Sequence, residues 1–412
     1  MADIRPFKAL RPRRDLADKI AALPYDVYDR QGAKAEIEKS PLSFLRIDRA
    51  ETNFPDEVDT YDDRVYLKAR EILDEMIEKK EFIEDEKPLY YLYELTMDGR
   101  SQTGVVAAAS ARDYENNVIK KHENTTEAKE KDRIRHVDAC SAQTGPIFLG
   151  FRGNKVISEV MAKVKTGDPE YDFVSSDGVG HRVWLVSDER DIAAIRGAFD
   201  SIGDIYICDG HHRCASAVKV CKMRRDEHKT SVGDEEYDYF LSVLFPADEL
   251  KILDYNRVVR DLNGLSESRF MDRIRKKFDV EDAPFSPFKP EKKHEMGLYI
   301  SGKWYKLMVK ESVLTGDPVN DLDVSILQNE LLSPILNIED PRTDKRIAFV
   351  GGILGMEGLM DKVDSSEFIC AFSLYPTDIN DLFTVADMGR LMPPKSTWFE
   401  PKLRSGLFIH RF

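Results

Sequence analysis

Between Tyr61 and Glu81, the apolar residues Val65, Ala69, Ile72, Leu73, Met76 and Ile77 recur at helical spacing among lysines and glutamates, which predicts an amphipathic helix. Over Pro88 to Ala111, aromatic and β-branched runs flank the turn signal Asp98-Gly99, which predicts a hairpin. Asn117 to Lys121 reads as a short strand end. Asn124 with Glu127 three positions later reads as a capping pair, opening a charged helix with Ile134 and Val137 on its inner face. Further strands are predicted at Gly145 to Phe151, Ile205 to Cys208 and Tyr239 to Pro246. Helices are predicted at Glu189 to Phe199 and from His211 onward.

Beyond Ala247 the pattern predicts a strand over Leu250 to Val259, a helix over Glu267 to Phe278 and a hairpin over Gly297 to Val309. A helix over Val324 to Leu336, a strand over Phe368 to Leu374 and a loop-like, then extended tail over Met392 to Ile409 follow. The alternation of strands and helices implies a mixed α/β (α+β) chain. Three regions are expected: an N-terminal α+β region over 1–112, a core over 113–250 and a C-terminal α+β region over 251–412.

Composition narrows the function classes. The 412 residues are 42% hydrophobic and 33% charged, a balance suited to globular folding. A formal net charge of -14 disfavours nucleic acid as a partner, because the average surface repels phosphates. Neither a signal peptide nor an apolar run of about 20 residues is evident, so no membrane association and a cytoplasmic location are expected. The five cysteines form no CxxC pair, and Cys214, Ala217, Val218 and Cys221 share one helical stripe that suits core packing.

Chemistry concentrates in three places. In DGHHR, Gly210 permits a tight turn into a helix whose first amides and dipole attract an anion, and His211, His212 and Arg213 add donors there. Asp209 stands where it could hold a Mg²⁺ ion bridging phosphates. The plainer alternative is an N-cap beside surface histidines. A zinc site from Cys208, His211, His212 and Cys214 lacks a second ligand cluster. In KKHENTTEAKEKDR, a strand end delivers His122 and Glu123 before a helix. There a carboxylate can take a proton from a substrate hydroxyl, although charge runs commonly form solvated faces. In PPKST, Lys395, Ser396 and Thr397 make a plausible phosphate-contact set without the glycines of a Walker loop, and an exposed loop is an equal reading. Asp26 in PYDV, after a rigid proline, reads equally as an ordinary turn, and GGILG (Gly351 to Gly355) receives no role.

The order HEN, PIF, IYICDGHHR is similar to the ParB/sulfiredoxin-like fold. LPYDVYD, SFLRIDRAE, HENT, KDR, GPIF, DGHHR and MPPKSTWFEPK together resemble the domain-of-unknown-function 1015 family along the whole chain. The superfamily includes free L-serine kinases. The resemblance implies a ParB/sulfiredoxin-like core with N- and C-terminal additions, and phosphorylation of L-serine to O-phospho-L-serine by pyrophosphate, ADP or ATP with Mg²⁺. It implies Glu123 as base, with Asp209, His211, His212 and Arg213 holding the transferring phosphate. His122, Thr125 and Asp26 are implied as substrate contacts, and Lys395, Ser396 and Thr397 as donor or substrate contacts. Leu23 and Asn256 depart from the family pattern. The competing readings are a ParB-type nucleotide switch associated with nucleic acid and a metal-dependent nuclease or phosphatase.

Overall fold

The hairpin around Asp98-Gly99 forms the spine of the larger sheet: strands Tyr90–Met97 and Arg100–Ser110 pair antiparallel, with both turn residues at positive φ (51° and 77°). The computed structural model describes residues 1–231, 233 and 235–412. They divide into two compact units, one built from Met1–Leu250 with Pro401–Phe412, the other from Lys251–Glu400.

The sheet of the first unit has nine strands among the described residues. From one edge its order is Ile119–Lys120, Ile205–Asp209, Ile147–Phe151, Tyr239–Pro246, Arg100–Ser110, Tyr90–Met97, Gly180–Val186 and Tyr171–Val174, with Ile4–Arg5 joining Arg100–Ser110. Two pairings are parallel, Ile119–Lys120 with Ile205–Asp209 and Ile147–Phe151 with Tyr239–Pro246. The rest are antiparallel, so the sheet is mixed and the fold is α/β. Residues 1–112 and 113–250, read separately along the sequence, share this one sheet.

One core cluster on the sheet holds Leu92, Val105, Leu149, Ile207, Phe199 and the stripe Cys214, Ala217, Val218 and Cys221. Hence these cysteines are buried packing residues, and burial pushes the Cys214 and Cys221 thiols up. A second cluster gathers Ile47, Val65, Ala69, Ile72 and Met76 beneath the helix Asp63–Glu78, which Asp62 caps.

Several boundaries differ from expectation for local reasons. The helix Glu127–Cys140 starts from Thr126, not Asn124, and its buried residues are Glu130, Arg133, His136 and Cys140, whereas Ile134 and Val137 are only half-buried. The expected helix Glu267 to Phe278 stops at Ile274, because Phe278 opens a strand. Leu250 to Val259 breaks into Ile252–Leu253 and Tyr255–Val259. Patterning also misses the helix Lys155–Val164, although the Asn154 side chain caps it by accepting from the Val156 and Ile157 amides.

The second unit is organised on an antiparallel sheet in the order Phe278–Asp282, Lys303–Val309, Glu295–Ile300, Cys370–Leu374, Tyr255–Val259 and Ile347–Gly351. Met356 and Leu359 of the helix Gly355–Asp364 pack against Val258, Tyr299 and Ala371 of that sheet. Asn256 is fully buried, and its Oδ1 accepts from the Leu374 amide at 2.9 Å, a structural use of the position that departs from the family pattern. No helix of the described residues is long and apolar enough to cross a membrane.

Candidate active site

The site is laid out by the parallel pairing of Ile119–Lys120 with Ile205–Asp209, in the register Ile119 to Ile205 and Lys120 to Tyr206. Both strands therefore end on the same side of the sheet, and the chain leaves one as His122-Glu123 and the other as Asp209-Gly210. Against the neighbouring strand Ile147–Phe151 the register shifts between Ile207 and Asp209, an irregularity that re-aims Asp209 at the strand's end.

Gly210 follows at φ 91° as the N-cap of the helix His211–His228. Its missing side chain matters twice. The left-handed backbone suits glycine, and a Cβ there would lie 3.1 Å from Arg213 Nε and 3.2 Å from Nη2. The Arg213 guanidinium thus folds back over the turn, with Nη1 donating to the Pro146 carbonyl at 2.7 Å. An arginine fork and the open amides of the helix start face the same space, an anion-binding arrangement.

Asp209 is held ionised in this cationic setting. Its Oδ1 accepts from the Gly210 amide at 2.8 Å and its Oδ2 from Lys402 Nζ at 3.2 Å. Burial works to raise its pKa, but Lys402 and Arg213 outweigh it and keep the carboxyl below the usual range. The sequence placed Lys402 inside MPPKSTWFEPK without assigning it a role. Its place beside Asp209 depends on Pro401–Phe412 folding with the first unit.

The three histidines do different jobs. His211 and His122 meet edge to face at a centroid distance of 4.5 Å, and both are buried. Burial, joined for His211 by mutual repulsion, pulls both pKa values down, that of His122 to about 4, so both rings are neutral at pH 7. His211 Nδ1 lies 3.9 Å from Glu123 Oε2, and the Glu123 side chain is 46% exposed. His212 Nε2 accepts from the Thr126 amide at 3.0 Å, which puts the ring proton of the neutral tautomer on Nδ1 and ties the loop before Glu127–Cys140 to the DGHHR helix. Thr125 Oγ1 is engaged by Glu130 Oε1, and Lys219 pairs with the same glutamate.

Beside this cluster lie two cavities. The smaller, about 30 Å³, is lined by Arg213, Gly145, Thr144, Tyr25, Asp48 and Arg133; the larger, about 210 Å³, shares Tyr25, Asp48, Arg133 and His136 with it and opens past Asp26. Asp26 is exposed on the short turn Tyr25–Val27. None of Asp48, Thr144, Arg133 or His136 was read from the sequence as a site residue. Asp48 sits in SFLRIDRAE and Arg133 in KDR, two segments that carried the resemblance without an assigned function.

The structure thus brings together His122, Glu123, Asp209, Gly210, His211, His212 and Arg213, with Asp26 on the rim of the adjoining cavity. Lys395, Ser396 and Thr397 belong to the second unit. There Lys395 has φ 59° and its Nζ stands 5.7 Å from the Tyr255 ring centroid, while Ser396 is buried, its hydroxyl bonded to the Pro393 carbonyl and its carbonyl to Thr377 Oγ1. Among the described residues there is no cluster of three or more His, Cys, Asp or Glu suited to a metal. Asp209 is the lone carboxylate at the helix start, with its two oxygens held by the Gly210 amide and Lys402, and the residues here form no all-protein metal cage.

None of the curated proteins matches the chain. Among solved structures it is similar to a free serine kinase in complex with AMP (14% identity, TM-score 0.35, 74% of this chain and 91% of that one). It is also similar to a conserved hypothetical protein from Pyrococcus furiosus (14%, 0.36, 74% and 94%) and to SbnI with a C-terminal truncation from Staphylococcus aureus (9%, 0.38, 74% and 87%). The profile of the family described as "Protein of unknown function (DUF1015)" matches residues 4–325, well over half of the length, and the chain belongs to that family.

Proposed function

We propose that the protein is a small-molecule kinase that transfers a phosphoryl group to the hydroxyl of free L-serine, forming O-phospho-L-serine. The observation that carries this reading is the meeting of Glu123 with the DGHHR helix start, at 3.9 Å between Glu123 Oε2 and His211 Nδ1. Phosphoryl transfer asks a protein for in-line positioning, charge neutralisation and a group to receive the nucleophile's proton. Arg213, Lys402 and the helix amides supply neutralisation, and Glu123 supplies the proton acceptor.

In the reaction, the serine oxygen forms a bond to phosphorus as the bond from phosphorus to the leaving oxygen breaks, and the hydroxyl proton passes to Glu123. ATP then leaves as ADP, ADP as AMP and pyrophosphate as phosphate. Mg²⁺, when bound, would neutralise donor phosphates, with Asp209 as its protein ligand. His211, neutral and set edge to face with His122, orients Glu123 through its Nδ1 side. His122, Thr125 and Asp26 are the acceptor contacts of this reading.

The test is to incubate the full chain with L-serine and Mg²⁺ and with ATP, ADP or pyrophosphate in turn. Phosphoserine is expected with at least one donor, and none with any donor rejects the reading. Glu123→Gln is expected to retain donor binding and lose turnover, whereas Arg213→Ala weakens donor binding itself; normal turnover in Glu123→Gln removes it as the base.

A further inference from the structure

The cavity of about 210 Å³ is small for a ligand site, below the roughly 300 to 1,000 Å³ usual for drug-sized molecules, yet charged side chains of both signs line it. Two of them are incompletely paired. Asp48 is 4% exposed, and its Oδ1 accepts from Thr144 Oγ1 at 2.7 Å. His136 stands 3.8 Å from that same oxygen, but burial and Arg133 hold its pKa down and its Nε2 bonds the Ile47 carbonyl at 3.2 Å, so it brings Asp48 no positive charge. Oδ2 of Asp48 has no hydrogen-bond partner among the described residues.

Arg133 is the complement. It is 8% exposed and lies over the Tyr25 ring at 4.0 Å. Its Nε and Nη2 both meet Asp132 Oδ2, at 2.8 and 2.7 Å, and Asp132 Oδ1 is taken by the Tyr66 hydroxyl. Its Nη1 has no partner among the described residues. Asp48 and Arg133 therefore border one small cavity and attract one another across it without a direct ion pair, each with an atom that bonds no described residue. A ligand carrying one charge of each sign would match both atoms where they face the cavity.

We propose that this cavity is the acceptor pocket and that it takes a small α-amino acid as its zwitterion, the ammonium group against Asp48 and the carboxylate against Arg133. The word acceptor rests on the kinase reading, but zwitterion binding does not. Since the smaller cavity beside it is lined by Arg213, the side chain of such an amino acid would have a short path toward the DGHHR helix start.

The test is calorimetric titration of the full chain with L-serine, ethanolamine and glycerate, which share a hydroxyl but keep both charges, only the cation and only the anion. L-Serine is expected to bind at least about 10-fold more tightly than either analogue, the loss of one charge-assisted contact. Asp48→Asn and Arg133→Met are each expected to weaken L-serine binding by at least about 10-fold while ADP binding stays within twofold. Equal binding of the analogues, absence of L-serine binding, or unchanged L-serine affinity in a folded variant overturns the proposal. Should a variant fail to fold, the analogue series on the parent chain decides. L-Serine binding without phosphoserine from any donor would sink the kinase reading and leave the pocket standing; equal phosphorylation of ethanolamine would sink the pocket and leave the kinase.

Discussion

Lys402 Nζ stands 3.2 Å from Asp209 Oδ2, joining two residues 193 positions apart at the start of the helix His211–His228. The contact gives a strand-end carboxylate a fixed cation. Lys402→Met is expected to raise the Asp209 pKa, visible in the carboxyl carbon shift by NMR, and to weaken phosphate-donor binding about 10-fold, with partial recovery in Lys402→Arg. Unchanged donor affinity in Lys402→Met would confine the lysine to holding Asp209.

Gly210 offers a second test. Replacing it with alanine imposes a left-handed backbone on a residue with a Cβ, at about 1 to 2 kcal/mol, and pushes that Cβ toward Arg213. Urea unfolding of Gly210→Ala should show that loss together with reduced donor affinity, because the guanidinium must move. A variant as stable as the parent would mean that the turn has another conformation available.

Stability should fall as the solution is acidified from pH 6.5 toward 4. Burial lowers the pKa of His122 to about 4 and of His181 to about 3, and pulls His136 and His211 down as well. The unfolded chain then binds protons that the folded chain refuses, so stability is complete above the ordinary histidine pKa and is lost below it. For His122 alone the loss is on the order of 3 kcal/mol by pH 4. Urea midpoints at pH 7.5, 6, 5 and 4.5 check the slope, and a flat profile down to pH 5 would show that these rings accept protons in the folded state.

A structural ion pair away from the site is expected to matter as much. Arg11, with a side chain 8% exposed, is held by Asp85 at 2.9 Å and by Glu170 at 2.7 Å. Asp85→Ala strips one partner from a buried guanidinium and should cost about 3 kcal/mol, the low end for a broken buried pair because Glu170 and the Tyr171 hydroxyl remain. Thermal unfolding of the variant measures it.

How much of this was legible in the sequence varies with the range of the interaction. DGHHR could be read locally, because glycine at a strand-to-helix turn and three donors on the first turn are near neighbours. The hairpin at Asp98-Gly99 and the helix Asp63–Glu78 were legible for the same reason. The inner face of Glu127–Cys140 was not, since hydrophobic periodicity points to Ile134 and Val137, whereas the buried positions are Arg133 and His136, whose polarity is met by Asp132 and by the Ile47 carbonyl. Asp48 and Lys402 escaped notice because their partners, Thr144 and Asp209, lie 96 and 193 positions away.

The return of Pro401–Phe412 to the first unit also bears on how the protein is made. Strand Ile205–Asp209 leaves the ribosome well before residues 251–400, and these in turn precede the lysine that sits beside Asp209. A chain stopped at Glu400 would carry the whole DGHHR segment but neither Lys402 nor the strand His410–Arg411 that pairs with Ala142–Gln143. Assembly of this cluster therefore waits for the segment Pro401–Phe412, and a nascent chain would hold Asp209 without its lysine until that segment has been made.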